Sequence, residues 1–142
     1  MIFSRYLSSI LLIFSLVFLI ISCGESKTAQ CQKIIAVTRK IAEQSAESRQ
    51  TKEVEQVLKM ADNFDESAKT MNNLTIADAQ LAKYQKGYGE IYQANADITR
   101  KFIAALKQKD IVAARLLQKQ VQDTGDREKT LRAEINSYCQ AN

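Results

Sequence analysis

The chain of 142 residues contains no histidine, no proline and no tryptophan, and only four glycines. Without histidine there is no Ser-His-Asp triad, no Cys-His pair, and no His-ligated zinc or haem. Glycines at Gly24, Gly87, Gly89 and Gly125 alone are too sparse to form a phosphate-cradling loop. The length suits one domain rather than two. Apolar residues at 46% and charged residues at 25% match ordinary globular averages. Much of that apolar share is concentrated before residue 22, so the remainder is more polar than the mean implies.

The amino terminus reads as an export signal. Met1 to Arg5 supply a free amine and one arginine, and Tyr6 to Ile21 form an apolar run interrupted only by Ser8, Ser9 and Ser15. The run closes on Ile20-Ile21-Ser22-Cys23. An aliphatic residue, a tolerant position, a small residue and then cysteine resembles the lipobox of bacterial lipoproteins. The resemblance implies that residues 1–22 are removed and that the Cys23 thiol carries a diacylglycerol. The new amine then takes a further acyl group such as palmitate, and residues 23–29 form a short tether. Two other readings fit the same run: an uncleaved transmembrane anchor, for which Ile2 to Ile21 is just long enough, and a plain secretory signal. All three place the rest of the chain outside the cytoplasm, on a periplasmic or lumenal face.

Three cysteines are present, and lipidation would consume Cys23. The remaining Cys31 and Cys139 then read as one disulfide in an oxidising compartment. A loop of about 100 residues closed this way gains roughly 4–5 kcal/mol in the chain-entropy model. A redox pair is the alternative, but shuttling cysteines usually sit as a close Cys-x-x-Cys.

Beyond the tether the pattern is helical. Leu81, Tyr84, Tyr88, Ile91, Asn95, Ile98, Phe102 and Ala105 keep a 3-4 spacing, as do Leu117, Val121, Thr124, Glu128, Leu131, Ile135 and Tyr138. Thr75-Ile76-Ala77-Asp78 resembles a capping box with aspartate for glutamate, and Asp110 suits an N-cap. These signals predict helices over 75–107 and from 110. Earlier, Cys31, Ile34, Ile35, Thr38, Ile41, Ala42 and Ser45 form one stripe. Val54, Val57, Leu58, Ala61, Phe64, Ala68 and Met71 form another, with polar Glu47 to Lys52 between. A disulfide needs its Cα atoms within about 7 Å, and only an even number of helices returns Cys139 to the pole of Cys31. The prediction is therefore a turn near 46–52 and an all-α, up-down-up-down four-helix bundle over residues 30–142. With two helices of roughly 20 residues and two of roughly 30, the longer pair should overhang by about 15 Å around residues 98–120. Gly125 is a candidate kink in the last helix. The cysteine opening the first helix and Ile135-Asn136-Ser137-Tyr138-Cys139 closing the last, with Tyr84 to Leu106 between, resemble small helical lipoproteins of oxygenic photosynthetic bacteria. That resemblance implies fold and location and carries no assigned activity.

Three constellations could bear function. Tyr84, Tyr88 and Tyr92 form a stripe beside Gly87 and Gly89; it suits either a groove for a small apolar ligand or a core edge with hydroxyls in water. Asp62, Asp65 and Glu66 share a helical turn and suit either acid-base or cation chemistry or a plain solvated face. Charge is more informative. Residues 43–66 carry net −4, whereas residues 97–122 carry net +4, and the mature chain, without Arg5, is only +3. Lys107, Lys109, Arg115 and Lys119 are therefore candidates for docking an acidic protein partner, against a merely solubilising role. Nucleic acid is not expected, since Phe102 is the segment's only aromatic residue and lies in core register. No cofactor, metal or catalytic residue is expected. The leading expectation is a lipid-anchored, non-catalytic interaction or assembly module; the other is a binding protein for a small apolar ligand at the tyrosine groove.

The anchor is tested by intact mass. The native protein should lack residues 1–22 and carry lipid on Cys23, and Cys23→Ser should leave it unprocessed or released. A native protein that retains Met1 would exclude the lipobox.

Overall fold

A computed structural model describes residues 24–48 and 53–141. The signal segment, Cys23 and residues 49–52 of the expected first turn lie outside them. Four helices follow one another: α1 (Lys27–Ser48), α2 (Val54–Asn72), α3 (Ala79–Lys107) and α4 (Ile111–Gln140). They form a four-helix bundle in which each helix packs chiefly on its neighbours in sequence. No helix among the described residues is long and apolar enough to cross a membrane.

The elements start and stop for local reasons. Asp78 caps α3: its Oδ1 accepts from the backbone N–H groups of Gln80 and Leu81, both at 2.9 Å. The expected capping box is therefore corrected: the N-cap is Asp78 rather than Thr75, and the helix begins at Ala79. A carboxylate placed directly before Ala79 satisfies two orphan donors itself, so no reciprocal partner three residues on is needed. Asp110 caps α4 as expected, accepting from the Ala113 N–H at 2.9 Å. Between them α3 ends in a Schellman motif, with Asp110 N–H donating to the Ala105 carbonyl and Lys109 N–H to that of Leu106. Lys109 adopts the left-handed conformation this motif requires, at φ 59°. α1 continues to Ser48, farther than the polar stretch from Glu47 suggested. α4 runs unbroken through Gly125.

The core follows the predicted registers. Ile34, Met71, Leu81, Tyr88, Ile91, Tyr92 and Ile135 are its largest fully buried side chains. Val37 turns inward where Ile35 and Ala42 were expected to. The glycines of α3 let neighbours approach: a Cβ on Gly87 would stand 3.0 Å from the Leu131 Cδ2, and one on Gly89 would collide with the Asn72 side chain.

Cys31 and Cys139 are joined, with Cα atoms 6.1 Å apart across 108 positions of sequence. Around this bond the loop between α2 and α3 is stapled in place. Gln30, nearly fully buried, accepts from the N–H groups of Ala77 (2.7 Å) and Asp78 (2.9 Å) through Oε1. Gln85 donates from Nε2 to the carbonyls of Met71 and Leu74, both at 2.8 Å. Tyr138 of α4 donates its hydroxyl to Asp78 Oδ2 at 2.8 Å. The pole thus gathers the start of α1, the α2–α3 loop and the end of α4.

At the other end, α2 runs antiparallel beside α3. Asn72 lies against Gly89, Phe64 against Tyr92, and Asp62 and Asp65 against Arg100. Continuing that register brings Val54 level with the last turn of α3. This corrects the expected overhang of a lone α3–α4 pair. Only α1 stops short of the distal end, because α2 sits displaced toward that end and leaves the six residues after Asn72 to return to the pole.

Replacing Cys31 and Cys139 by serine should lower the unfolding free energy by a few kcal/mol, up to about 4–5 kcal/mol for a loop of this length. Denaturant titration of the oxidised, reduced and Cys-free proteins measures it. Equal midpoints for the three would show that the bond carries no stability.

Candidate functional site

The tyrosine stripe is core. Tyr84, Tyr88 and Tyr92 are 7%, 1% and 0% exposed. Tyr88 and Tyr92 stack at 5.8 Å between centroids, Tyr92 meets Phe64 at 6.1 Å, and Tyr84 meets Tyr138 edge-on at 6.0 Å. The rings are more deeply buried than a half-wet core edge, and Tyr84 also borders an open pocket with Ser137 and Tyr138. α3 is central and packs against α2 on one side and α4 on the other, so a stripe drifting about 40° per step never leaves apolar surroundings. Burial pushes the Tyr88 phenol up to about 12, and the Tyr92 phenol further still; the Glu128 carboxylate adds to both. The Tyr92 hydroxyl is buried without a hydrogen-bond partner among the described residues.

The acidic turn is occupied. Arg100 donates to Asp62 Oδ1 at 2.8 Å and to Asp65 Oδ2, while Glu66 pairs with Lys40 at 3.0 Å. The two aspartates hold the Arg100 guanidinium above its ordinary range through these hydrogen bonds. With each carboxylate already committed to a cation, the cluster reads as a clasp of α2 onto α3 and α1, and no group of three or more potential metal ligands occurs among the described residues. Arg100, counted in sequence with the basic hairpin, belongs to this clasp instead.

The remaining basic residues do form a free surface. Lys107, Lys109, Arg115 and Lys119 are all exposed, and none pairs with an acid among the described residues. The sequence registers missed what lies between them. Ile111, Val112 and Leu116 are 54%, 73% and 61% exposed, with Leu106 and Val121 also open to solvent. Val112 and Leu116 sit four apart on a flank of α4 well away from the Thr124–Leu131–Ile135 line. Apolar residues off the core register and bracketed by Lys109, Arg115 and Lys119 are the signal that could have found them.

A second feature lies between the helices. A cavity of about 310 Å³ opens between all four helices, lined by Ser45, Val57, Met60, Phe64, Asn95, Thr99, Val121, Gly125 and Glu128. The inward column of α1 explains it: Ile34, Val37 and Ile41 fill the bundle, and then Ser45 does not. α4 meets the same level with Gly125. Asn95 is 8% exposed, and its Oδ1 accepts from the Thr124 hydroxyl at 2.6 Å, a hydroxyl that also reaches the Val121 carbonyl at 2.8 Å.

Compared with known protein families, curated proteins and solved structures, the chain matches none of them.

The buried phenols predict an alkaline limit. Tyr88 and Tyr92 hold their protons more tightly in the folded chain than at the ordinary phenol value of 10.0. The stability they contribute is complete below pH 10 and is lost as pH rises from there through about 12. Tyrosinate absorbance and helical circular dichroism should therefore change together for these two residues. Full ionisation of all tyrosines near pH 10 with helix intact would contradict their burial.

Proposed function

We propose that the protein is a lipid-anchored, extracytoplasmic, non-catalytic interaction module that docks an acidic protein partner through the distal hairpin of α3 and α4. One observation carries this reading: the tip presents Ile111, Val112 and Leu116 among four cations that pair with no acid among the described residues. Apolar side chains set in a surplus of positive charge, with Asp110 the one acid between Lys107 and Lys119, give both contact area and steering to a surface of the opposite sign. Lys109 adds a further hint. It occupies the left-handed C′ position where glycine is the usual residue, and a lysine held there stands at the apex of the tip.

The anchor half of the proposal rests on the Cys23 motif. If lipid holds that residue, the tip stands the length of α4 away, and 30 residues of helix span about 45 Å. Charges at that distance do not sense the headgroups of the anchoring membrane, because screening acts over about 8 Å at physiological salt. The cations then serve something that approaches the free end.

Reversing Lys107, Lys109, Arg115 and Lys119 to glutamate should leave helix content and the disulfide intact, since all four side chains face solvent. Proteins that co-purify with the wild type from native membranes should be lost, and their binding to the wild type should weaken steeply with salt. Retention of the same proteins by the reversed variant, insensitive to salt, would return the tip to a solubilising role.

A further inference from the structure

The central cavity has features that packing alone does not account for. Gly87 and Gly89 each accommodate a neighbour, but nothing lies within 4 Å of the place where a Cβ on Gly125 would stand. Its backbone is ordinary helix, with no positive φ to demand glycine. In a helix interior glycine is the least favourable residue after proline, so the chain bears a cost here that neither conformation nor contact requires. Gly125 is exposed and lines the mouth of the cavity.

The facing walls are chemically asymmetric. Val57, Met60, Phe64 and Val121 give an apolar surface. Against it stands Asn95, more than nine-tenths buried, with its Oδ1 taken by Thr124 and its amide N–H₂ without a protein partner among the described residues. Thr99 adds a hydroxyl one turn farther on. Beside Phe64, the Tyr92 hydroxyl is a buried polar atom with no partner among the described residues. A volume of about 310 Å³ lies at the small end of the range of ligand pockets.

We propose that this cavity binds a small, largely apolar molecule bearing one carbonyl-type oxygen, which accepts from the Asn95 amide while its body lies against Met60, Phe64 and Gly125. An apolar body matches the lining, and an acceptor on the molecule pairs with the Asn95 amide donor, which the bond to Thr124 does not use. The site lies apart from the basic tip, and neither depends on the other.

The chain's methionines provide a site-specific readout: Met60 lines the cavity, whereas Met71 is buried elsewhere in the core. Methyl-¹³C-methionine spectra of the full mature protein in phosphatidylcholine nanodiscs would be recorded with 2-acetylnaphthalene as the probe. The Met60 methyl should shift saturably while that of Met71 stays in place. 2-Ethylnaphthalene, which lacks the oxygen, should bind about tenfold more weakly, the effect of one hydrogen bond. Asn95→Leu should erase that difference; Thr124 keeps its bond to Val121, so no buried hydroxyl is stranded. Gly125→Leu fills the cavity and raises helix propensity, so it should abolish the Met60 shift in a protein at least as stable as the wild type. Thr99→Phe should do the same from α3. An unmoved Met60 methyl at the solubility limit of the ketone, equal binding of the two naphthalenes, or a shift that persists in folded Gly125→Leu would each overturn the proposal.

Discussion

A covalent bond between Cys31 and Cys139 forces the two ends of the domain to one pole, and much of the architecture follows from it. α1 leaves that pole and α4 must return to it, so the chain between them crosses the bundle an even number of times. The α2–α3 connection therefore lies at the same pole. There Gln30, Gln85 and the Asp78–Tyr138 pair hold the loop. The Asp78 carboxyl is drawn below its ordinary range first by the Leu81 N–H it caps and then by the Tyr138 hydroxyl, so one side chain both starts α3 and secures α4. The opposite end carries the Schellman turn and the Asp110 cap, hydrogen bonds made within the hairpin itself. Constraint at one pole leaves the other free to present side chains.

Between the poles the packing changes character along the axis. Near the disulfide the levels are filled by Ile34, Leu81, Tyr88 and Ile135. Past Ile41 the first helix presents Ser45 to the cavity, and the bundle opens. The polar pair Asn95–Thr124 lies at this level and joins α3 to α4. A buried hydrogen bond beside a gap fixes the register of two long helices where apolar contact is thinnest. The gap arises because three positions in register, Ser45, Asn95 and Gly125, are each smaller or more polar than the apolar residues that precede them along the bundle.

The architecture was legible in the sequence because its signals were redundant. The 3-4 spacing from Leu81 to Ala105 and the cap at Asp110 each pointed to the same helices, and the two cysteines fixed their number. Thr75 misled because a capping box and a plain aspartate cap look alike when an aspartate falls three residues on. The tyrosine stripe misled for a different reason: spacing gives a face of a helix, not how many neighbours surround it, and α3 is flanked on both sides. The acidic turn on α2 looked solvated because Arg100 is 35 positions from Asp65 in sequence. The cavity was not legible, since it depends on Ser45 and Gly125 meeting at one level across helices 80 residues apart. The apolar tip lay in plain view in Ile111, Val112 and Leu116, which fall outside the core period that the helical registers follow.

The disulfide also sets how the domain responds to mechanical load. A pull between the segment before Cys31 and the segment after Cys139 passes through the first turn of α1 and then the sulfur bridge, so the rest of the domain is bypassed as a spring. A pull between the tether and the distal hairpin enters α1 and α4 together at their shared end. Both outer helices are then drawn along their axes, and separation requires sliding whole interfaces past one another instead of peeling one turn at a time. Reduction of the bridge would leave α1 to take that load alone.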